Sequence, residues 1–238
     1  MKELISSGLE ALGLTGSVPP DAAEKLAEYG RLLLEKNQVM NLTAIRDEAG
    51  VARLHMLDCA ALLPCADLTG ARTLLDVGTG AGFPGLPLKI LLPQLDVTLL
   101  DSLNKRVDWL NEVSVQLGLT GVRAIQGRAE EKALEKSMRD SFDLVTARAV
   151  ADLRLLSELC LPFVKVGGRF LSMKSVDSDQ ELDQAAHAIK LLGGRVRDVK
   201  DYAIPGADVT HRLVIVEKVA PTLKGYPRRW AKIQKAPL

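Results

Sequence analysis

The residues with the clearest chemical pattern are Asp76 and the glycines that follow it at every second position, Gly78, Gly80 and Gly82. They come directly after an apolar run, which is typical of a strand that ends in a tight loop at a ligand site. Glycine lets the backbone turn sharply and lets a ligand approach where a Cβ atom would collide. The spacing of Gly80, Gly82 and Gly85 also fits a dinucleotide fingerprint, so the glycines alone leave two cofactor classes open.

Asp76 favours one of these two cofactor classes. A dinucleotide places its pyrophosphate on the amides of the following helix, where Asp76 would add negative charge. S-adenosylmethionine (SAM) has no phosphate and carries a sulfonium cation, so an acid beside it is tolerated or helpful. Asp101 ends the next predicted strand, where an acid accepts hydrogen bonds from the ribose of either cofactor, or caps the helix that follows. The pattern favours a SAM-dependent methyltransferase, with an NAD(P)-binding oxidoreductase as the alternative.

Composition narrows the class of protein. The chain has 238 residues, 47% of them hydrophobic, which suffices for one good core. It has no apolar run long enough to cross a bilayer, and the segment Met1–Leu4 lacks the hydrophobic region of a signal peptide. The three cysteines and three histidines are scattered, without the spacing of metal ligands. We therefore expect a cytoplasmic protein without a metal or a membrane partner.

The net charge of +1 hides an asymmetry along the chain. Residues 1–70 hold 6 basic and 10 acidic residues, whereas residues 218–238 hold 6 basic residues and no acid. Tyr226 and Trp230 lie within this basic stretch, and such a mixture suits the phosphates and bases of a nucleic acid. A solvated, poorly ordered terminus is the alternative.

The hydrophobic pattern changes near residue 72. Before it, helices are predicted, one of them from about Asp47 to Leu63 and ended by Pro64. After it, short apolar strands alternate with helices, which indicates a parallel sheet. The predicted strands are Thr73–Val77, Val97–Leu100, Val122–Ile125, Phe142–Ala147, Arg169–Met173, Arg195–Asp201 and His211–Val216.

The last two strands have no helix between them, so we expect them to be antiparallel. The prediction is an α/β protein with the Rossmann-like fold of SAM-dependent methyltransferases, a mostly parallel sheet with a C-terminal antiparallel strand. We divide the chain into an N-terminal helical extension (1–70), a methyltransferase domain (71–218) and a basic C-terminal tail (219–238).

Polar residues also follow the third and fourth strands. Ala129 and Glu130 come after the third strand, where such folds hold an adenine ring, although they also fit an ordinary helix start. Arg148 ends the fourth strand, where substrate meets the methyl group, and suits a phosphate or the O6 and N7 atoms of guanine. An ion pair with a nearby carboxylate is the alternative for Arg148. Lys174, just past the fifth strand, is a weaker candidate for the same task.

The sequence lacks the motifs by which methyltransferases act on exocyclic amines or on cytosine carbon. No Asn/Asp-Pro-Pro-Tyr/Phe motif, the usual clamp for an exocyclic amine, follows the fourth strand. Cys65 follows a proline, as the nucleophile of cytosine methylation does, but it precedes the glycine loop and fits a structural cysteine better. Guanine N7 needs neither device, because its lone pair is free in the ring plane and alignment suffices.

The whole pattern resembles the RsmG family, also called GidB, bacterial enzymes that methylate N7 of a guanosine in small-subunit (16S) ribosomal RNA. The resemblance covers nearly the full chain, and the Gly-x-Pro-Gly-x-Pro-Leu run is its most specific part. The matching pieces are Asn41–Arg46, His55-x-x-Asp58, Asp76–Leu88, Leu99–Arg106 and Arg148-Ala149. In two places the chain departs from the family, at Cys59, where Ser is common, and in the tail, which lacks the usual Gly and Pro.

The resemblance implies a set of binding residues for SAM and for the small-subunit RNA. With Gly80 of the glycine loop added, the expected SAM-binding positions are Gly78, Gly80, Phe83, Asp101, Ser102, Leu103, Ala129, Glu130 and Arg148. The positions expected to contact RNA are Asn41, Arg46, His55, Lys174, Arg228, Arg229 and Lys232. Arg148 is also the candidate for aligning the substrate.

Overall fold

A seven-stranded sheet organises the computed structural model, which describes residues 1–148 and 150–238. Its strand order is β3-β2-β1-β4-β5-β7-β6, with the first five strands parallel and β7 antiparallel to both of its neighbours. The strands are β1 (Thr73–Val77), β2 (Asp96–Asp101), β3 (Val122–Gln126), β4 (Phe142–Arg148), β5 (Val164–Ser175), β6 (Gly194–Ala203) and β7 (Thr210–Lys218). The predicted fold, including the antiparallel C-terminal pair, is confirmed.

Helices cover both faces of the sheet. They are α1 (Lys2–Ala11), α2 (Ala22–Met40), α3 (Glu48–Val51), α4 (Asp58–Ala60), α5 (Leu62–Cys65), α6 (Gly85–Leu91), α7 (Asn104–Gln116), α8 (Ala129–Lys132), α9 (Leu153–Cys160), α10 (Asp179–Leu191) and α11 (Trp230–Lys235). A π-helical turn spans Ala52–Leu57 and a 3₁₀ turn spans Leu161–Phe163.

Each face of the sheet has its own hydrophobic cluster, because successive strand residues point to opposite faces. In β1, Leu74 belongs to the cluster under the N-terminal helices and Leu75 to the cluster under α9 and α10. The N-terminal helices therefore share a core with one face of the sheet. The domain boundaries at residues 70 and 218 remain a prediction.

The helix predicted over 47–63 differs from the structure in its interior and in its end. Asp47 caps it by accepting a hydrogen bond from the Gly50 amide at 2.8 Å, and it then widens into the π turn. The predicted stop at Pro64 is wrong, since this residue lies inside α5. Proline is tolerated there because the amide of a residue in the first helical turn has no partner within the helix.

The C-terminal segment, residues 219–238, is folded against the body of the protein. Ile233 is fully buried, and the Arg139 guanidinium donates to the carbonyl groups of Thr222, Leu223 and Tyr226. The alternative of a poorly ordered terminus is therefore wrong. Its order depends on contacts with residues far away in the sequence.

Candidate cofactor and substrate site

The buried Asp76 carboxylate holds the glycine loop in place through hydrogen bonds. This group accepts hydrogen bonds from the Thr79 hydroxyl at 2.6 Å, the Thr146 hydroxyl at 2.9 Å and the Gly85 amide at 3.1 Å. Burial raises its pKa to about 6, against the opposing effect of these hydrogen bonds. Its oxygens bind the loop and the adjoining strand, so Asp76 holds the loop in its conformation.

The loop glycines serve different purposes. A Cβ atom on Gly82 would lie 2.6 Å from the Tyr29 hydroxyl, and one on Gly85 would lie 2.4 Å from the Leu99 side chain, so both allow close packing. A Cβ atom on Gly80 would meet nothing nearer than 3.9 Å, and its φ of +57° is in the left-handed region. Gly80 is therefore the position of these three that leaves space for a ligand.

A cleft of about 350 Å³ opens at the ends of β1, β2 and β3. Five of the residues predicted to bind cofactor line it, namely Gly78, Asp101, Ser102, Ala129 and Glu130. Trp230 of the C-terminal segment also lines it, a contribution that the strand pattern did not predict. We call this space the cofactor cleft.

Asp101 is held in place by two other predicted residues through their backbone. Its carboxylate accepts hydrogen bonds from the Gly80 and Leu103 amides, both at 2.9 Å, and lies 3.4 Å from Nη1 of Arg106. The helix α7 has no side-chain cap, and the bond from Leu103 comes from the residue before its first turn, so the capping alternative for Asp101 is wrong. Each carboxylate oxygen has two lone pairs, so acceptor capacity remains for ribose hydroxyls.

Phe83 lies elsewhere than the sequence predicts. Its ring stacks on the His55 ring at 4.5 Å, and the Arg148 guanidinium lies 4.9 Å from its centroid. The side chain is buried against these groups and is not among the described residues that line the cofactor cleft. Its contacts position Arg148 and His55, because a large aromatic ring gains more from burial than from facing an open cleft.

Arg148 is the centre of a buried polar network. One of its terminal nitrogens donates to Asp58 at 3.1 Å and to the Leu54 carbonyl at 3.2 Å, and the other lies 3.1 Å from Nδ1 of His55. Since arginine only donates, Nδ1 is an acceptor and the proton is on Nε2, which donates to the Thr43 hydroxyl at 2.8 Å. Burial, with the charge of Arg148, lowers the pKa of His55 to about 4, so its ring is neutral.

Two residues that the sequence did not predict complete this network. Asp58 also accepts hydrogen bonds from the Tyr202 hydroxyl and from Nδ1 of His211, both at 2.8 Å. Burial opposes ionisation of Asp58, but His211 and Arg148 outweigh it and hold the pKa of this carboxyl below its ordinary value. The same bond raises the pKa of His211. Tyr202 and His211 are more than 140 residues away in sequence, so no local motif indicates them.

A second cleft, of about 390 Å³, lies at the ends of β4 and β5. His55, Arg148, Lys174 and His211 line it, and we call it the substrate cleft. Val150, two residues after Arg148, lines the cofactor cleft, so the two clefts adjoin at the end of β4. Ala149 lies outside the described residues.

Four of the residues predicted to contact RNA are exposed, namely Asn41, Arg46, Arg229 and Lys232. His55 and Lys174 line the substrate cleft. Although Lys174 lines this cleft, its ammonium group is paired with Glu181 and donates to the Ala151 carbonyl.

The prediction that Arg228 contacts RNA is wrong. Its amide and guanidinium bind Glu158, whose side chain is 1% exposed. An arginine that pairs with a buried acid is not available to a phosphate, because separating the pair would leave the acid uncompensated.

Within residues 1–148 and 150–238, no helix combines the length and hydrophobicity that a membrane span requires. The same residues contain no group of three His, Cys, Asp or Glu side chains placed to hold a metal ion.

Comparison with known proteins decides the family. The model of the GidB family, described as rRNA small subunit methyltransferase G, matches residues 22–209. The chain belongs to this family. A relative described as ribosomal RNA small subunit methyltransferase G from Clostridium perfringens (strain 13 / Type A) is 42% identical over 99% of this chain and 98% of its own length. One from Alkaliphilus metalliredigens (strain QYMF) is 44% identical over 100% and 98%.

Solved methyltransferase structures share the fold at low identity. The mitomycin 7-O-methyltransferase MmcR gives a TM-score of 0.55 at 18% identity, over 80% of this chain and 60% of its own. TrmN from Thermus thermophilus gives 0.52 at 24% identity, over 68% of this chain and 48% of its own. The resemblance stated from the sequence, to a family of small-subunit rRNA methyltransferases, is confirmed.

Proposed function

We propose that this protein transfers the methyl group of SAM to N7 of a guanosine in 16S ribosomal RNA. The observation that carries the proposal is the pair of clefts at the end of β4, the cofactor cleft lined by Val150 and the substrate cleft lined by Arg148. One cleft suits an adenosine-containing cofactor and the other suits a planar base with hydrogen-bonding edges. Family membership supports the same reaction class.

The residues of the cofactor cleft fit SAM. Asp101 would hold the ribose hydroxyls, Ala129 and Glu130 would border the adenine, and Gly78 would lie beside the methionine part. The cleft volume of about 350 Å³ lies within the range of small-molecule sites. When bound, SAM supplies an electrophilic methyl group on a sulfonium centre.

The substrate cleft suits guanine through hydrogen-bond donors. Among the described residues, three of the five N–H groups of Arg148 donate to Asp58, Leu54 and His55, which leaves two for a substrate oxygen such as O6. His211 uses Nδ1 to bind Asp58 and so keeps Nε2 for a ligand. The network fixes both side chains before substrate arrives, and such preorganisation is how alignment lowers a barrier.

The acceptor atom explains why the site needs no general base. N7 of guanine carries a lone pair and no proton, so attack on a methyl group releases no proton from the base. His55, whose ring is neutral and fully engaged with Thr43 and Arg148, acts as a positioning residue. The protein therefore contributes orientation and a cation near O6.

The proposal is tested by mapping 7-methylguanosine in 16S RNA, since borohydride and aniline cleave RNA at this base. A strain without the gene should lose one cleavage site, and the native gene should restore it. A strain that keeps every site would overturn the proposed reaction.

Arg148 provides the matching test at the site. Arg148→Ala should abolish the restored site, Arg148→Lys should restore it in part, because lysine lacks the planar fork, and Arg31→Ala on the exposed face of α2 should restore it fully. Calorimetry on each purified variant should show SAM binding and no NAD binding. NAD binding without SAM binding by the native protein would instead indicate the oxidoreductase class.

A further inference from the structure

The C-terminal segment is fixed on both sides of Trp230. Two residues before it, the Arg228 amide and Nε donate to Oε1 of Glu158 at 2.8 and 2.9 Å, and Nη2 donates to Oε2 at 2.6 Å. Three residues after it, Ile233 is fully buried in the cluster under α9. A side chain between two such anchors has a defined place, so the position of Trp230 follows from the fold.

That place is the wall of the cofactor cleft near the end of β3. Trp230 lines the cleft together with Ala129, Glu130 and Asp101. In nucleotide-binding sheets of this kind the adenine lies at the end of the third strand, beyond the ribose that the second strand holds. The indole is the one aromatic side chain among the described residues that line this cleft.

We propose that Trp230 is a cofactor-binding residue that packs against the adenine of SAM, so that the C-terminal segment forms part of the cofactor site. The inference rests on the proposed use of this cleft for SAM. An indole offers a large apolar face to a base, and stacking of this kind does not depend on hydrogen-bond pattern. The segment thus has a role in cofactor affinity besides its charge.

A purely structural role for Trp230 is the competing explanation, since it also packs against the cluster under α9. The two explanations differ in what the indole experiences when SAM is added. A wall residue changes its environment on binding, whereas a packing residue does not. The chain has two tryptophans, and the other, Trp109, is buried in the cluster on the opposite face of the sheet.

The experiment is a titration of the full-length protein with SAM, followed by tryptophan fluorescence and by calorimetry. The native protein should show a fluorescence change that Trp230→Phe removes, because Trp109 alone then emits. By calorimetry, Trp230→Phe should bind within about threefold of native affinity, and Trp230→Ala should bind about tenfold more weakly, the loss expected for one stacked base. Thermal unfolding establishes that each variant is folded.

The outcomes separate this inference from the proposed function. Equal fluorescence changes in the native protein and in Trp230→Phe, or native affinity in a folded Trp230→Ala, would overturn the role of Trp230 while SAM binding stands. If Trp230→Ala does not fold, the fluorescence comparison with Trp230→Phe decides alone. Absence of SAM binding by the native protein would overturn the proposed function itself.

Discussion

At the scale of single residues, the glycines of the loop differ in what an added side chain would meet. The pattern of glycines predicts a ligand loop because only glycine adopts these angles without cost. Which glycine faces the ligand depends on what surrounds each one, and those neighbours come from α2, β2 and α6. Gly82 and Gly85 pack against protein, whereas Gly80 faces open space.

Gly80→Asp should therefore abolish SAM binding while the fold is kept. Aspartate tolerates the left-handed backbone of Gly80, whose amide donates to the cleft residue Asp101 at 2.9 Å. Its side chain would bring bulk and negative charge into the open space beside Gly80, which we expect the methionine part of SAM to occupy. We expect at least about a hundredfold loss of affinity by calorimetry, corresponding to about 2.7 kcal/mol.

Gly82→Ala serves as the comparison, since its added Cβ atom would lie 2.6 Å from the Tyr29 hydroxyl. It should lower the midpoint of thermal unfolding more than Gly80→Asp does. Native SAM affinity in Gly80→Asp would contradict the assignment of this space to the cofactor.

His211 makes stability depend on pH in a defined direction. The hydrogen bond that its Nδ1 donates to Asp58 raises the pKa of His211 above the value in the unfolded chain, against the effects of burial and of Arg148. The folded state then binds more protons between the two values, so the contribution of His211 to the free energy of unfolding is complete below the unfolded pKa of about 6.5 and is lost as pH rises through the folded pKa. The Tyr202 hydroxyl, which faces the same carboxylate, has its pKa raised by burial and stays protonated throughout.

His211→Gln should remove this decline, whereas His187→Gln on the exposed side of α10 should keep it. Denaturant unfolding between pH 6 and pH 9 measures the effect. An identical decline in both variants would show that another group is responsible.

At the scale of elements, the hydrophobic pattern predicted the sheet but neither the π turn nor the order of the C-terminal segment. Six of the seven strands were predicted to within about two residues of their observed bounds, since apolar runs mark the buried strands of a parallel sheet. The exception is β5, which begins at Val164 rather than at the predicted Arg169. The π turn over Ala52–Leu57 has no local signal, since its widening depends on what packs around it. The order of the C-terminal segment depends on Glu158, 70 residues before Arg228.

Arg228 and its neighbour Arg229 should accordingly differ when each is replaced by alanine. Arg228→Ala leaves the Glu158 carboxylate, 1% exposed, without its charge partner, and breaking such a pair costs about 3–5 kcal/mol. Arg229 is exposed, so Arg229→Ala should change the free energy of unfolding by less than about 0.5 kcal/mol.

Denaturant unfolding of both variants tests this difference. A loss of stability in Arg228→Ala no larger than that in Arg229→Ala would contradict the anchoring role of Glu158. Calorimetry with SAM gives an independent reading, because a released segment would also withdraw Trp230 from the cofactor cleft.

At the scale of the whole molecule, acidic and basic side chains are concentrated in different parts of the chain. The N-terminal third is acidic and the last 21 residues are basic, and the folded C-terminal segment places its cations beside the cofactor cleft. We propose that the phosphates of substrate RNA contact this segment while the target base lies in the substrate cleft. Composition predicted the charge of the segment, but its location required the fold.

The cations of this segment should determine how RNA binding depends on salt. Arg229, Lys232 and Lys235 are exposed at the end of the chain, while Arg228 is paired internally, so replacing these three residues removes up to three phosphate contacts. Each contact that is lost should reduce the slope of log affinity against log salt by about 0.7–0.9, because fewer counterions are released. The triple alanine variant should thus reduce the slope by about 2–3 for a 16S RNA fragment, by this counting.

A variant with equal charge loss elsewhere separates this site from a general effect of charge. Lys25, Arg31 and Lys36 lie on α2 and pair with acidic side chains, so their replacement by alanine should leave the slope close to native. SAM affinity should be native in both triple variants, because none of the six side chains lines the cofactor cleft. Equal slopes in the two variants would mean that the RNA is bound by another surface, whereas a smaller slope in the C-terminal variant alone places the phosphates on the segment that carries Trp230.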